Sequence, residues 1–318
     1  MWQIESGQRK EFKIIPHVNN YEMPATLICG KYPGKTVVIT AGLHSGEYPG
    51  IPATMRVAKK IDPQKVRGQI LFIHCVNISG FWAKTSAVLP EDHGNLNSIY
   101  PGSPIGSESM RIADYFVQNI FPKADFILDL HSGGAREPLT PCLFYPQSPK
   151  VKQASLEAAL ALNIPYLIES SATQGEYSYA ANVLGIPALL LERGHTNQCL
   201  KEWIDDDEND IFLFLNHLHI YDYTPLQEIC EKMIFSKTIY LTSDMKGLWY
   251  AEIHENEIVK KGQRLGYIED FHGHQRQEYF AKEDGLVFYY TSGLPVKKGS
   301  ALVAYGLLSS KKESPYEK

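Results

Sequence analysis

The stretch VVITAGLHSGEYPG, Val37–Gly50, runs from a β-branched segment through a glycine to His44 and Glu47, three residues apart. A buried strand has no use for an imidazole and a carboxylate at its mouth, so the pair is read here for its chemistry. Other apolar segments also end on polar groups. ADFILDLHSGG carries Asp129 and His131, IPALLLERG reaches Glu192, and QILFIHCVN ends in Asn77. Ligands of an open α/β sheet bind at the carboxyl ends of its strands, so these groups are expected along one edge. Two neutral imidazoles and one carboxylate make a common catalytic zinc site whose fourth position is left for water. One zinc ion per chain is therefore expected on His44, Glu47 and His131, the close pair facing one point from a turning backbone. Asp129 points to the same side of its strand as His131, where it would orient a ligand imidazole. Glu192 is not needed for the metal and is free to take a proton from water and hand it to a leaving amine. The joint order carries this reading, since each fragment alone is common.

The elements that must position these groups alternate from about Lys35 to Tyr221. TVVITAG, QILFIHCVN, ADFILDLH and IPALLLERG read as strands; GIPATMRVAKKI, SESMRIADYFVQNIF, VKQASLEAALAL and DIFLFLNHLHIY have helical spacing. This alternation predicts a layered α/β domain with a largely buried sheet. KEFKIIPHV and ATLICG look like a hairpin added at one edge. The character changes after Pro225, where GLWYAEIHENEIVKKGQRLGYI and GLVFYYTSGLPVKKGSALVAYG resemble each other, with Val259 and Val296 at matching positions. They predict a small pseudo-symmetric β-sandwich, and hence a division into residues 1–224 and 225–318. Lipoyl and biotinyl carriers are two-half β units of this kind, but the connection EDFHGHQRQEYF has no lysine to modify. No covalent cofactor is expected; His272, His274 and Arg276 of that connection are expected to line a substrate entrance.

The bulk numbers exclude several classes. The 318 residues are 44% hydrophobic and 21% charged, an ordinary globular mixture. The net charge of −5 and the lack of a basic block argue against a nucleic-acid partner. No apolar run has the length of a membrane helix, and the first residues, MWQIESGQRKEFK, lack an apolar signal core. Cys29, Cys75, Cys142, Cys199 and Cys230 are scattered and odd in number, as expected for reduced thiols in a cytoplasm.

The combined motifs resemble the succinylglutamate desuccinylase/aspartoacylase family, a branch of the zinc carboxypeptidase superfamily. GLHSGEYPG is similar to that family's first zinc motif, ADFILDLHSGG to its second, and GIPALLLERG to the stretch bearing its general-base glutamate, here Glu192. VNISGF and the Val-Lys-Lys-Gly halves fit as well. The resemblance implies a three-layer α/β/α domain with a mixed sheet and an appended C-terminal all-β domain. It also implies zinc-dependent cleavage of an amide bond in a small N-acyl compound.

The sequence departs from the family where the substrate is gripped. A loop that reads roughly Asp-Leu-Asn-Arg in the family is NLNSIYPG here: Asn97 matches, but Ser98 stands in place of the arginine. A second arginine expected just before this loop is missing from AKTSAVLPEDHG, which offers only Lys84. A bidentate guanidinium suits a substrate carboxylate and serine supplies no charge, so the family's usual acidic substrates are expected to fit poorly. Three readings stay open. The substrate lacks that carboxylate; another cation, Arg136 before Arg193, replaces the arginines; or zinc is bound without much turnover, as in a sensor or regulatory protein. An esterase using the same centre is a further alternative. The expected partner is a small molecule, and a homo-oligomer stays possible.

Overall fold

The computed structural model describes residues 4–18, 20–225 and 228–308. The ends of the two expected divisions, residues 1–3 and 309–318, lie outside the described residues, as do 226 and 227 beside their boundary.

Nine strands form one mixed sheet. In chain order they are β1 (Gln8–Ile14), β2 (Met23–Cys29), β3 (Tyr32–Ala41), β4 (Arg67–Ile73), β5 (Phe126–His131), β6 (Cys142–Pro146), β7 (Tyr166–Ser170), β8 (Ala188–Glu192) and β9 (Met233–Phe235). Their spatial order is β1-β2-β4-β3-β5-β8-β6-β7-β9. The central run β4-β3-β5-β8 is parallel, and β1 and β2 form the expected antiparallel edge hairpin. The β-branched segment of β3 alternates between two cores. Val37 and Ile39 pack with helices α1 (Gly50–Lys60), α4 (Lys152–Ala161) and α6 (Lys201–His217); Val38 packs on the other face with α3 (Glu108–Tyr115) and the turns around Tyr177 and Ala180. A strand buried on both faces needs apolar residues at every position, which is why these segments read as continuous runs. The layers are α/β/α, as expected.

The parallel strands β3, β5 and β8 end together. His131 is paired in register with Glu192, and Ala41 with Leu130. The sharp exit from β3 is set by Gly42, whose φ is +63°, with the Cys75 Sγ and Ile51 side chains packed against it. Only glycine takes that conformation without strain.

The chain after β9 forms two four-stranded sheets. β10 (Thr238–Thr242), β17 (Ala301–Leu307), β15 (Gly285–Tyr290) and β12 (Ile258–Val259) make one. β14 (Arg276–Phe280), β13 (Arg264–Glu269), β11 (Gly247–Ala251) and β16 (Pro295–Val296) make the other. The two similar segments exchange strands. The short strand holding Val259 pairs with β15 of the second segment, and the one holding Val296 pairs with β11 of the first. Gly262 and Gly299 follow the two Lys-Lys pairs with φ of +82° and +85°, so each repeat closes on a turn that needs its glycine. β9 joins the large sheet although it lies beyond residue 225, and Phe235 shares a small core with Cys142, Ile168, Leu286 and Phe288. Among the described residues no helix is long and apolar enough to cross a membrane.

Candidate active site

His44 and Glu47 lie in the loop between β3 and α1, and His131 is the last residue of β5. The structure brings them together. His44 Nδ1 is 2.7 Å from Glu47 Oε1, and His131 Nδ1 is 2.8 Å from Glu47 Oε2. Ligand atoms of all three lie within 4.8 Å of one another, and the two imidazole rings stand nearly perpendicular, 5.0 Å apart.

The far nitrogens are held in turn. His131 Nε2 is 3.0 Å from Asp129 Oδ2, the orienting contact expected of Asp129. His44 Nε2 is 3.0 Å from Asn95 Oδ1, which also accepts the Asn97 backbone N–H at 2.8 Å. An atom that accepts a backbone N–H is the amide oxygen, so His44 donates through Nε2. With both Nε2 atoms donating outward, the Nδ1 atoms of the two imidazoles are the ones that face Glu47. Sequence reasoning missed Asn95, because nothing local ties it to a histidine fifty-one residues earlier.

Electrostatics mark the same point. Burial pushes the Glu47 carboxyl up, but the His44 and His131 imidazoles outweigh it and hold it at about 2. Burial opposes a charge on His131, yet Asp129 and Glu47 on either side raise its pKa well above the usual value. The pocket therefore favours positive charge between three convergent donor atoms. Two imidazoles and a carboxylate with their outer nitrogens satisfied fit a divalent zinc ion.

A chain of hydrogen bonds backs Asp129. Thr40 Oγ1 lies 3.0 Å from Asp129 Oδ1 and 2.8 Å from Glu176 Oε1. Burial, and after it the Asp129 carboxylate, raise the Glu176 pKa well above the usual range. A neutral Glu176 can donate to Thr40, which donates to Asp129.

Glu192 opens into the same cavity, about 550 Å³ in volume, as His44 and Glu47. Its Oε2 is buried without a hydrogen-bond partner. Burial first, then the Glu47 carboxylate, raise its pKa well above the ordinary range. A buried carboxylate oxygen without a partner, facing the cavity, is placed to exchange a proton with a group bound there.

The other anticipated residues part company. Asn97 lines the cavity, packed against Gly175. Lys84 does not: it caps α2 (Ile78–Ala83) and lines a separate apolar groove with Phe81 and Trp82. Arg136 is exposed and lies over Gly293 rather than in the cavity. Arg193 faces the opposite way and is bonded to Asp207 at 2.6 Å and to Asp210 at 2.5 Å. Ser98 is exposed, and its hydroxyl donates to the Asn95 carbonyl. Asn77 is buried as the cap of α2, accepting the Gly80 N–H at 3.0 Å. The expected entrance residues are displaced as well. His272 and His274 are exposed, and Arg276 stacks on Tyr267 at 3.8 Å, its long side chain covering an aromatic face of its own hairpin. The C-terminal residues on the cavity wall are Tyr240 and Tyr289.

Residues 33–218 match the profile of the succinylglutamate desuccinylase/aspartoacylase catalytic domain. The chain is 29% identical over 266 residues to the N-alpha-acetyl-L-2,4-diaminobutyric acid deacetylase of Halomonas elongata, covering 80% of this chain and 77% of that protein. Its fold is similar to the product-bound ectoine utilization protein EutE (DoeB) of Ruegeria pomeroyi, with a TM-score of 0.83, 25% identity and 95% of each chain covered. A succinylglutamate desuccinylase/aspartoacylase from Rhodobacter sphaeroides shares the fold at a TM-score of 0.82 and 23% identity, over 95% of this chain and 97% of that one.

Proposed function

The chain belongs to the succinylglutamate desuccinylase/aspartoacylase family, and on that premise we propose that it is a zinc-dependent hydrolase of the amide bond in a small N-acyl compound. One observation carries the reading: His44, Glu47 and His131 converge with their outer nitrogens satisfied, beside a buried, unpartnered Glu192 in one cavity. A zinc ion held there would polarise the acyl carbonyl and acidify water at the site. Asp129 and Asn95 keep the ligand imidazoles in the tautomer that offers Nδ1. Glu192 takes the proton of the attacking water as the C–O bond forms. It returns that proton to the amine nitrogen as the C–N bond breaks, leaving a carboxylic acid and an amine. A closed structural site would need no such base, so Glu192 favours turnover over a purely regulatory zinc protein. The diaminobutyrate derivative named for the Halomonas elongata relative supports an amide rather than an ester substrate. The free state of all five cysteines supports a reducing, cytoplasmic setting.

The test joins metal and turnover. Purified protein is expected to hold one zinc per chain by elemental analysis and to release acid from members of an N-acyl amine and N-acyl amino acid panel. Chelation should stop the reaction and added zinc restore it. Full activity after complete removal of metal would overturn the assignment.

A further inference from the structure

Glu137 is a third carboxylate on the cavity wall that the reaction above does not use. It stands between β5 and β6, and its Oε2 accepts the Gly134 N–H at 3.3 Å. Its segment is fixed by the C-terminal region. Ser292 N donates to the Arg136 carbonyl at 2.9 Å, Thr140 N donates to the Phe288 carbonyl at 2.7 Å, and Leu139 bridges Tyr289. The side chain is thus presented by a held strand-like stretch.

The charge around it is one-sided. Among the described residues no lysine or arginine lines the cavity, while Glu47, Glu137 and Glu192 all do. Burial first, then the Glu47 carboxylate, raise the Glu137 pKa, so among the described residues its negative charge lacks a positive partner on the wall and a cation brought beside it would be favoured. The remaining wall near Glu137 is aromatic: Tyr289 is raised in pKa by burial first, then by Tyr240, Glu137 and Glu192, which places these groups around one space. A carboxylate beside tyrosine rings is the chemistry that receives an ammonium group.

We propose that Glu137, with Tyr289 and Tyr240, forms a subsite for a protonated amino group, so the substrates are N-acyl compounds carrying a second, free amine. The proposal rests on the hydrolase reading and names its substrate class. The missing arginines then have a reason: the cavity is built for a cation, and Ser98 and the outward Arg136 keep competing positive charge away from it.

The test compares pairs that differ in one charged group: N-acetylputrescine with N-acetylpentylamine, and N-alpha-acetyl-diaminobutyrate with N-alpha-acetylnorvaline. Zinc-loaded wild type should favour the amine of at least one pair by about 10- to 100-fold in kcat/KM, the range of a charge-assisted hydrogen bond. In Glu137→Gln that preference should fall to near unity through loss on the amine alone. Calorimetric titration with the product amines reads the subsite without turnover: wild type should bind putrescine or diaminobutyrate more tightly than pentylamine or norvaline, and Glu137→Gln should not. Equal wild-type rates within both pairs, or an unchanged preference in Glu137→Gln, overturns the subsite and leaves the hydrolase standing. Charge-dependent binding that Glu137→Gln abolishes, without hydrolysis of any compound, supports the subsite and overturns the hydrolase.

Discussion

Glu192 ends β8 with one carboxylate oxygen buried and unpartnered, facing the cavity that His44 and Glu47 also line. Replacing it with glutamine preserves shape and removes the ability to accept a proton. Glu192→Gln is expected to keep the metal and the fold and to lose about 10²-fold or more in kcat. Near-normal turnover in that variant would remove Glu192 from the mechanism. Asn95 makes a second residue-scale test. Asn95→Ala should weaken zinc binding by about 10- to 100-fold in a chelator competition, because His44 loses the acceptor that fixes its tautomer. Asn95→Asp, which keeps an acceptor, should restore it; unchanged affinity in the alanine variant would deny Asn95 this role. His44, Glu47, His131 and Glu192 were legible in the sequence because residue type and strand-end position together imply metal chemistry. Asn95, Thr40, Glu176 and Glu137 were not, since each acquires its role from a neighbour brought in by the fold. Lys84 and Arg136 were read from sequence proximity to motifs, and the backbone turns both outward.

Between elements, His74 ties the sheet to the helix layer. It follows β4, with Nε2 2.9 Å from Thr26 Oγ1 on β2 and Nδ1 3.0 Å from Thr54 Oγ1 on α1. The Thr54 hydroxyl donates to the Ile51 carbonyl at 2.8 Å, so it accepts from Nδ1, and Nε2 accepts from Thr26. Burial keeps this neutral imidazole from protonating and lowers its pKa from 6.5 to about 4. The sign follows: below about pH 6.5 the unfolded chain takes up a proton that the folded one refuses, so stability falls with pH until about pH 4. Between about pH 7.5 and about pH 5 this group should cost about 2 kcal/mol. Urea unfolding of wild type and His74→Gln at both pH values isolates it, and the wild-type loss should exceed that of the variant by this amount. Equal losses would mean that His74 protonates freely. The elements themselves were unevenly legible. Long runs such as β3 and α6 showed their period, whereas β6 and β7 are five-residue strands and β9 has three, too short for a pattern to emerge. The paired turns at Gly262 and Gly299 were visible because the repeat printed the same Lys-Lys-Gly twice.

At the scale of the whole molecule, the cavity is shared between an α/β layer that supplies the chemistry and a β region that supplies a wall. The sequence indicated both parts but not their seam, since the residues that meet across it lie far apart in the chain. Thr140 is part of that seam. Its buried hydroxyl donates to the Val287 carbonyl at 2.8 Å and accepts the Asn256 N–H at 2.6 Å, while its side chain is not on the cavity wall. Thr140→Val keeps the shape and removes both bonds, while the Asn256 N–H keeps its bond to the Val287 carbonyl at 3.0 Å, so the expected loss is about 1 kcal/mol. If the ladder also sets the position of the Glu137 segment, KM on the best substrate should rise several-fold while kcat changes little, because His44 and Glu47 after β3, His131 on β5 and the base on β8 belong to the other layer. Denaturant unfolding measures the first effect and steady-state kinetics the second. A stability loss of this size with KM unchanged would show that the β region only braces the fold; a parallel fall in kcat would show that the two layers position the reaction together.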